Sequence, residues 1–110
     1  FGTIAQYRIP VKVVVLNNGF LGMVRQWQEL FYEHRYAYTE LPPVDFVGIA
    51  RAYGIDGMVV EERGAVKDAL RTAIAHEGPF IVDVHVEREE NVFPMVPAGA
   101  AINEMIGSRQ

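Results

Sequence analysis

The chain has no cysteine among its 110 residues. That excludes a disulfide framework, a thiolate metal site and a cysteine nucleophile, and it fits a reducing cytoplasmic setting. No apolar run approaches the ~20 residues that a membrane-spanning helix needs, and no signal-peptide pattern opens the chain. Basic residues are the minority, 10 against 14 acidic, for a formal charge of −4. The lack of a basic stripe speaks against a general nucleic-acid binder. No Ser-His-Asp pattern, P-loop or GxGxxG stretch occurs. An initiator Met is missing too: the first residues, Phe1 to Tyr7, read as the tail of a helix.

What is present is a folding composition, with 50% hydrophobic, 22% charged and 11% aromatic residues. That balance excludes disorder, and the length allows one domain at most. Residues 1–110 are expected to form a single, incomplete domain.

Val11-Lys12-Val13-Val14-Val15-Leu16 is a nearly continuous β-branched run between Pro10 and Asn17-Asn18-Gly19. Such continuity is the mark of a strand buried on both faces of a parallel sheet. A helix is expected from about Leu21 to Tyr32. Leu21, Val24, Trp27, Gln28 and Phe31 form its inward stripe, and Arg25, Gln26 and Glu29 its polar side. His34 to Pro43 reads as a loop. Asp45 is placed to cap a short helix, Phe46 to Tyr53, that Gly54 ends.

Gly57 to Val60 is a short strand, and Val66, Ala69, Leu70, Ala73 and Ile74 are the apolar stripe of a third helix. Phe80 to Val86 is the last strand, Glu87 to Pro97 is irregular, and a final helix is expected from Ala100 to Met105. The order β-α-α-β-α-β-α predicts an α/β fold of three layers, a mostly parallel sheet flanked by helices.

In open α/β sheets, ligands bind at the carboxyl ends of the strands. Here the first strand runs into Asn17-Asn18-Gly19-Phe20-Leu21-Gly22 and a helix starts at once. The junction offers amide oxygens suited to Mg²⁺, glycines that admit a ligand to the backbone, and a helix N-terminus that favours phosphate. On spacing alone it also reads as an ordinary Asn-Gly turn. His34, His76 and His85 are scattered and read as solvated or structural. Asp83 is expected to face a partner or solvent, and Glu87, Glu89 and Glu90 to lie in a solvated loop. By spacing, Trp27 belongs to a core stripe.

From Asn17 to Tyr32 the sequence closely resembles the large catalytic subunit of acetolactate synthase (acetohydroxyacid synthase). The resemblance continues through Pro42 to Phe46, Ala52 to Gly54, Gly78 to Val84 and Asn91 to Ala100. The paired asparagines mark the wider thiamine-diphosphate (ThDP) enzymes. Gly22-Met23-Val24-Arg25-Gln26-Trp27 and Pro94-Met95-Val96-Pro97-Ala98-Gly99 narrow the resemblance to this family.

The resemblance implies that Asn18 and the main-chain oxygen of Phe20 hold the Mg²⁺ that anchors the cofactor's diphosphate. Leu21, Gly22 and Met23 would border the cofactor. Met23, Trp27, Ala98 and Gly99 would line the entry of the substrate, so the resemblance takes Trp27 out of the core. The implied reaction decarboxylates pyruvate and joins the two-carbon unit to a second pyruvate or to 2-ketobutyrate, in branched-chain amino acid biosynthesis. The cofactor acts as electron sink.

The family's third metal ligand, the Asp of a Gly-Asp-Gly motif, would lie upstream of Phe1. Its activating glutamate belongs to another domain of a second subunit, and its FAD to a middle domain. No catalytic residue is therefore assigned within this chain, which is expected to be inactive alone and to expose apolar surface. The implied partners are a second copy, as homodimer or homotetramer, and a small regulatory subunit. Two alternatives stand beside this reading. One is another ThDP enzyme, such as glyoxylate carboligase or a pyruvate oxidase or decarboxylase; the other is a non-catalytic interaction module of the same fold.

Overall fold

The computed structural model describes residues 1–107. These fall into two compact units, one of residues 1–19 and 42–87, the other of residues 20–41 and 88–110, whose last three residues lie outside the description.

The first unit is built on a sheet of three parallel strands, β1 (Lys12–Asn17), β2 (Asp56–Val60) and β3 (Phe80–His85), in the order β1-β3-β2. Lys12 and Asp56 both pair with Phe80, so the three strands run in register towards their carboxyl ends. Five of the six residues of β3 are buried. The doubly buried strand is thus β3 and not β1. The continuous apolar run at Val11 to Leu16 sits on an edge, and Val14 and Leu16 are exposed. An apolar run reports burial only where layers exist to cover both faces.

Helices lie on both faces of this sheet. On one, α4 (Val66–Ala75) packs Ala69 and Ala73 against Val60, Phe80, Val82 and Val84. Its inward stripe is Val66, Ala69, Leu70 and Ala73, while Ile74 is 75% exposed, against expectation. On the other, α3 (Phe46–Ala52) and α1 (Gly2–Tyr7) bring Val47, Ala50, Ile4 and Ala5 onto Ile55, Ile81, Val13 and Val15. Three layers result, as the order of elements predicts.

Local chemistry accounts for the ends of α3. The Asp45 carboxylate accepts from the Gly48 N–H at 2.7 Å, which caps the first turn. At the other end Gly54 takes φ 70°, Gly54 N–H donates to the Arg51 carbonyl at 2.9 Å, and Ile55 N–H donates to the Ala50 carbonyl at 3.0 Å. This pair of bonds is the Schellman arrangement, and Ile55 and Ala50 supply the apolar contact that accompanies it.

Of the two surroundings expected for Asp83, a partner or solvent, the structure has the first: it is 2% exposed because β3 is covered on both faces. Its Oδ2 accepts from Asn17 Nδ2 at 3.4 Å and stands 3.5 Å from His85 Nε2; His85 Nδ1 is 3.5 Å from Glu61. His85 thus stands between Asp83, two residues before it on β3, and Glu61, which the fold brings from the end of β2.

Among its described residues the second unit has one α-helix, α2 (Gly22–Phe31). Two isolated antiparallel bridges, Phe20 with Glu40 and Met95 with Ile106, organise its loops. The helix expected from Ala100 to Met105 is only a single 3-10 turn, Ile102–Glu104, which the Glu104 side chain closes by accepting from Ala101 N–H at 2.7 Å. A helix this short is held by packing, as Ile4 and Ala5 hold the six residues of α1, whereas Ile102 is left exposed and no residue of this turn is buried. Among the described residues no helix is long and apolar enough to cross a membrane.

Candidate functional site

In the first unit the carboxyl end of β1 runs into the paired asparagines. Asn17 spends its side chain on the turn: Oδ1 accepts from Gly19 N–H at 3.2 Å and Nδ2 reaches Asp83. Gly19 takes φ 68°, the left-handed conformation that such an Asx turn requires here. Asn18 follows, half-buried, just beyond the carboxyl end of the parallel sheet, where open α/β sheets bind ligands.

In the second unit Phe20 pairs with Glu40 across the backbone, and Leu21 N–H donates to the Thr39 carbonyl at 2.8 Å. The Phe20 ring lies under the Arg88 guanidinium at 4.8 Å, and Arg88 itself pairs with Glu40 at 2.5 Å. The residue is therefore held by its side chain, and the role implied for it needs only its main-chain oxygen. Leu21, at the N-cap of α2, has no side-chain acceptor, so no side chain caps the helix. Taken unit by unit, the chemistry of these groups suits the implied group. Amide and carbonyl oxygens are hard ligands for Mg²⁺, and a helix start without a side-chain cap keeps its N–H groups oriented for a diphosphate.

The apolar face of α2 is turned outward. Leu21, Met23, Val24, Trp27 and Phe31 are all exposed, Met23 at 51% and Trp27 at 38%. Trp27 meets the edge of Phe31 with ring centroids 5.6 Å apart. Ala98 and Gly99 are exposed in the tail of the same unit, and Gly99 has φ 82°.

The inward face reverses the amphipathic reading of α2. Among the described residues, those buried in this unit are Arg25, Gln26, Thr39 and Asn91, every one polar. Arg25 Nη1 pairs with Glu29 Oε2 at 2.6 Å and donates to Tyr36 Oη at 3.3 Å, while Nη2 donates to Asn91 Oδ1 at 2.5 Å. Asn91 Nδ2 donates to Glu29 Oε1 at 2.9 Å, and Tyr36 Oη to Glu29 Oε2 at 3.2 Å, which closes the ring. A buried charge is tolerable when hydrogen-bonding neighbours answer it, and this one is answered by three groups, Glu29, Tyr36 and Asn91. The i,i+4 spacing of Arg25 and Glu29 was the one sign of this pairing in the sequence. Asn91, 62 residues from Glu29, left none.

Burial alone would raise the Glu29 carboxyl. The hydrogen bonds from Arg25, Asn91 and Tyr36, together with the charge of Arg25, outweigh it and hold Glu29 below its ordinary 4.5. A carboxyl depressed in the folded state contributes stability that is complete above the unfolded value and lost as the pH falls through the folded one. Denaturation midpoints are therefore expected to fall as the pH drops below 4.5, and Glu29→Gln is expected to flatten that fall. Equal slopes for the two proteins would refute the assignment.

A parallel sheet between two helical layers, with an Asn pair at the carboxyl end of its first strand, is the architecture of a cofactor-binding α/β domain. The family described as thiamine pyrophosphate enzyme, C-terminal TPP binding domain, matches residues 1–84, and this chain belongs to it. Acetolactate synthase of Arthrospira platensis is 48% identical over 108 residues, which are 96% of this chain and 19% of that protein. The large subunit of acetolactate synthase isozyme 2 of Escherichia coli strain K12 is 42% identical over 106 residues, again 96% of this chain and 19% of its own length. The mitochondrial acetolactate synthase catalytic subunit of Aspergillus candidus is 46% identical over 104 residues, 94% of this chain and 15% of that protein. This chain thus spans less than a fifth of the curated relatives it matches.

Among solved structures, the ThDP-dependent 4-hydroxybenzoylformate decarboxylase of Rhodococcus jostii RHA1 superposes with a TM-score of 0.72. It shares 30% identity, over 81% of this chain and 17% of that one. The likeness to acetolactate synthase large subunits read from the motifs is thereby shown, as is the ThDP-binding class.

Proposed function

We propose that this chain is the C-terminal part of the cofactor domain of a ThDP- and Mg²⁺-dependent acetolactate synthase. The observation that carries the proposal is the similarity of almost the whole chain to acetolactate synthase large subunits, the exposed face of α2 included. Bound there, ThDP supplies the electron sink that lets pyruvate lose CO₂ and the remaining two-carbon unit join a second 2-keto acid. The work of this chain is to bind and to orient. Asn18 and the Phe20 carbonyl offer hard oxygens to Mg²⁺, and Leu21, Gly22 and Met23 offer the start of α2 to the diphosphate.

Met23, Trp27, Ala98 and Gly99 are the side chains and backbone that shape the entry for pyruvate and 2-ketobutyrate. Their exposure leaves them free to meet substrate. The same reading includes a second copy of the protein in a homodimer or homotetramer, FAD bound outside this chain, a small regulatory subunit, a cytoplasmic location, and a place in branched-chain amino acid biosynthesis.

The test compares two preparations given ThDP, Mg²⁺ and pyruvate. The longer protein that contains this chain is expected to release CO₂ and form acetolactate. Residues 1–110 alone are expected to form none, since the third metal ligand and the activating acid of the resemblance are not among them. Acetolactate from the isolated chain, or none from the longer protein, would overturn the proposal. Decarboxylation without any carboligated product would move the reading to a ThDP decarboxylase.

A further inference from the structure

Gln26 is 1% exposed on a helix whose apolar residues are left outside. Its carboxamide is used at both ends. Oε1 accepts from the Val92 N–H at 2.9 Å, and Nε2 donates to the Val92 carbonyl at 2.9 Å and lies 3.2 Å from Met95 Sδ. The assignment of the two ends follows from chemistry, because an N–H can face only an acceptor and a carbonyl only a donor. One side chain thus reproduces the double hydrogen bond of a paired strand, and turning it breaks both bonds together.

Arg25, its neighbour, grips Asn91 at 2.5 Å, one residue before Val92. Met95 then exchanges two backbone hydrogen bonds with Ile106, at 2.9 and 2.7 Å. Residues 96–105 are by this closed into a loop whose base rests on Gln26, and the loop carries Ala98 and Gly99. Met23 and Trp27 stand on the same helix, three residues before Gln26 and one after it.

We propose that Gln26, assisted by Arg25, is a positioning residue for acceptor choice. By holding Asn91, Val92 and Met95 on α2, it sets how the loop bearing Ala98 and Gly99 is presented to the second 2-keto acid. The inference rests on the acetolactate synthase reading, in which pyruvate and 2-ketobutyrate compete as acceptors and differ by one methylene. A difference that small is resolved by the dimensions of the pocket, and one methylene is worth ~10–200-fold. Gln26 touches neither substrate nor cofactor. It acts through the loop.

The test uses the longer protein carrying Gln26→Leu, supplied with ThDP, Mg²⁺ and equal pyruvate and 2-ketobutyrate. The readout is the ratio of acetohydroxybutyrate to acetolactate, which is independent of how much enzyme is folded. Hydrogen–deuterium exchange at the Val92 and Met95 amides is followed on the same samples. Gln26→Leu is expected to shift the ratio by roughly tenfold, at the low end of what one methylene supports, and to speed exchange at both amides. Gln26→Glu keeps the acceptor for Val92 N–H, loses the donor to the Val92 carbonyl, and is expected to fall in between.

Where Gln26→Leu does not fold, Gln26→Glu carries the test. Faster exchange with an unchanged ratio overturns the proposal, and so does a shifted ratio with unchanged exchange. Wild-type protein that makes neither product overturns the acetolactate reading itself, and the acceptor role falls with it. The wild-type control therefore separates the two failures.

Discussion

Arg25→Ala is expected to destabilise the protein by about 3–5 kcal/mol, the usual result of removing one partner from a buried ion pair. The guanidinium is fully buried and bound to Glu29, Asn91 and Tyr36. Its loss leaves Asn91 Oδ1 without its donor and the Glu29 carboxylate with its charge unanswered. Marginal domains have ~5–15 kcal/mol in total, so a lowered urea or thermal midpoint should be plain.

A companion variant separates the two physical sources of that loss. Replacing Arg25, Glu29 and Asn91 together by Met, Leu and Leu removes the ion pair and its amide and leaves only the Tyr36 hydroxyl of the ring, and apolar replacements of buried ion pairs are often neutral or better. Recovery of most of the lost stability is expected. A triple variant as unstable as Arg25→Ala would show that packing, rather than the unanswered charge, dominates.

Asn18→Ala, in the longer protein, is expected to raise the Mg²⁺ concentration needed for half-maximal activity by more than about 100-fold. Outer-sphere partners of metal ligands already account for about 10–100-fold, and a direct ligand should exceed them. Circular dichroism on the same samples separates a loss of metal affinity from a loss of fold. The neighbouring Asn17→Ala should behave in the opposite way. It breaks the bonds to Gly19 N–H and Asp83, and so should lower stability more than metal affinity. An Asn18→Ala protein with an ordinary Mg²⁺ requirement would remove this residue from the site.

Much of the fold was legible because its signals are local. Asp45 as N-cap and Gly54 as stop act through atoms within a few residues, and α3 begins and ends where they place it. The alternation of strands and helices was enough to predict a layered parallel sheet. The corrections share a cause of another kind. The apolar stripe of α2, from Leu21 to Phe31, was read as core by its period, but a period shows only that a helix has two faces. It does not show which face the rest of the chain will cover. Asn91, Val92 and Tyr36 arrive from distant or irregular segments and cover the polar one. For the same reason the run at Val11 to Leu16 could not reveal that it lies on an edge, nor Asp83 that it is buried between layers.

The candidate site divides along the same line. Asn18, Phe20, Met23 and Trp27 were nameable from their motif, because close spacing along one chain survives in sequence. Gln26 and Arg25 were read as mere polar surface, and their work depends on residues more than 60 positions away.

By itself, the sequence determined the class of fold, the turns and caps that bound its helices, and the family whose motifs it carries. All of these rest on short-range geometry and on the pattern of apolar residues. The tertiary structure alone decided which strand is central, which face of α2 is buried, and what holds the tail to that helix. Burial is a relation between segments, and it exists only once the chain has brought them together.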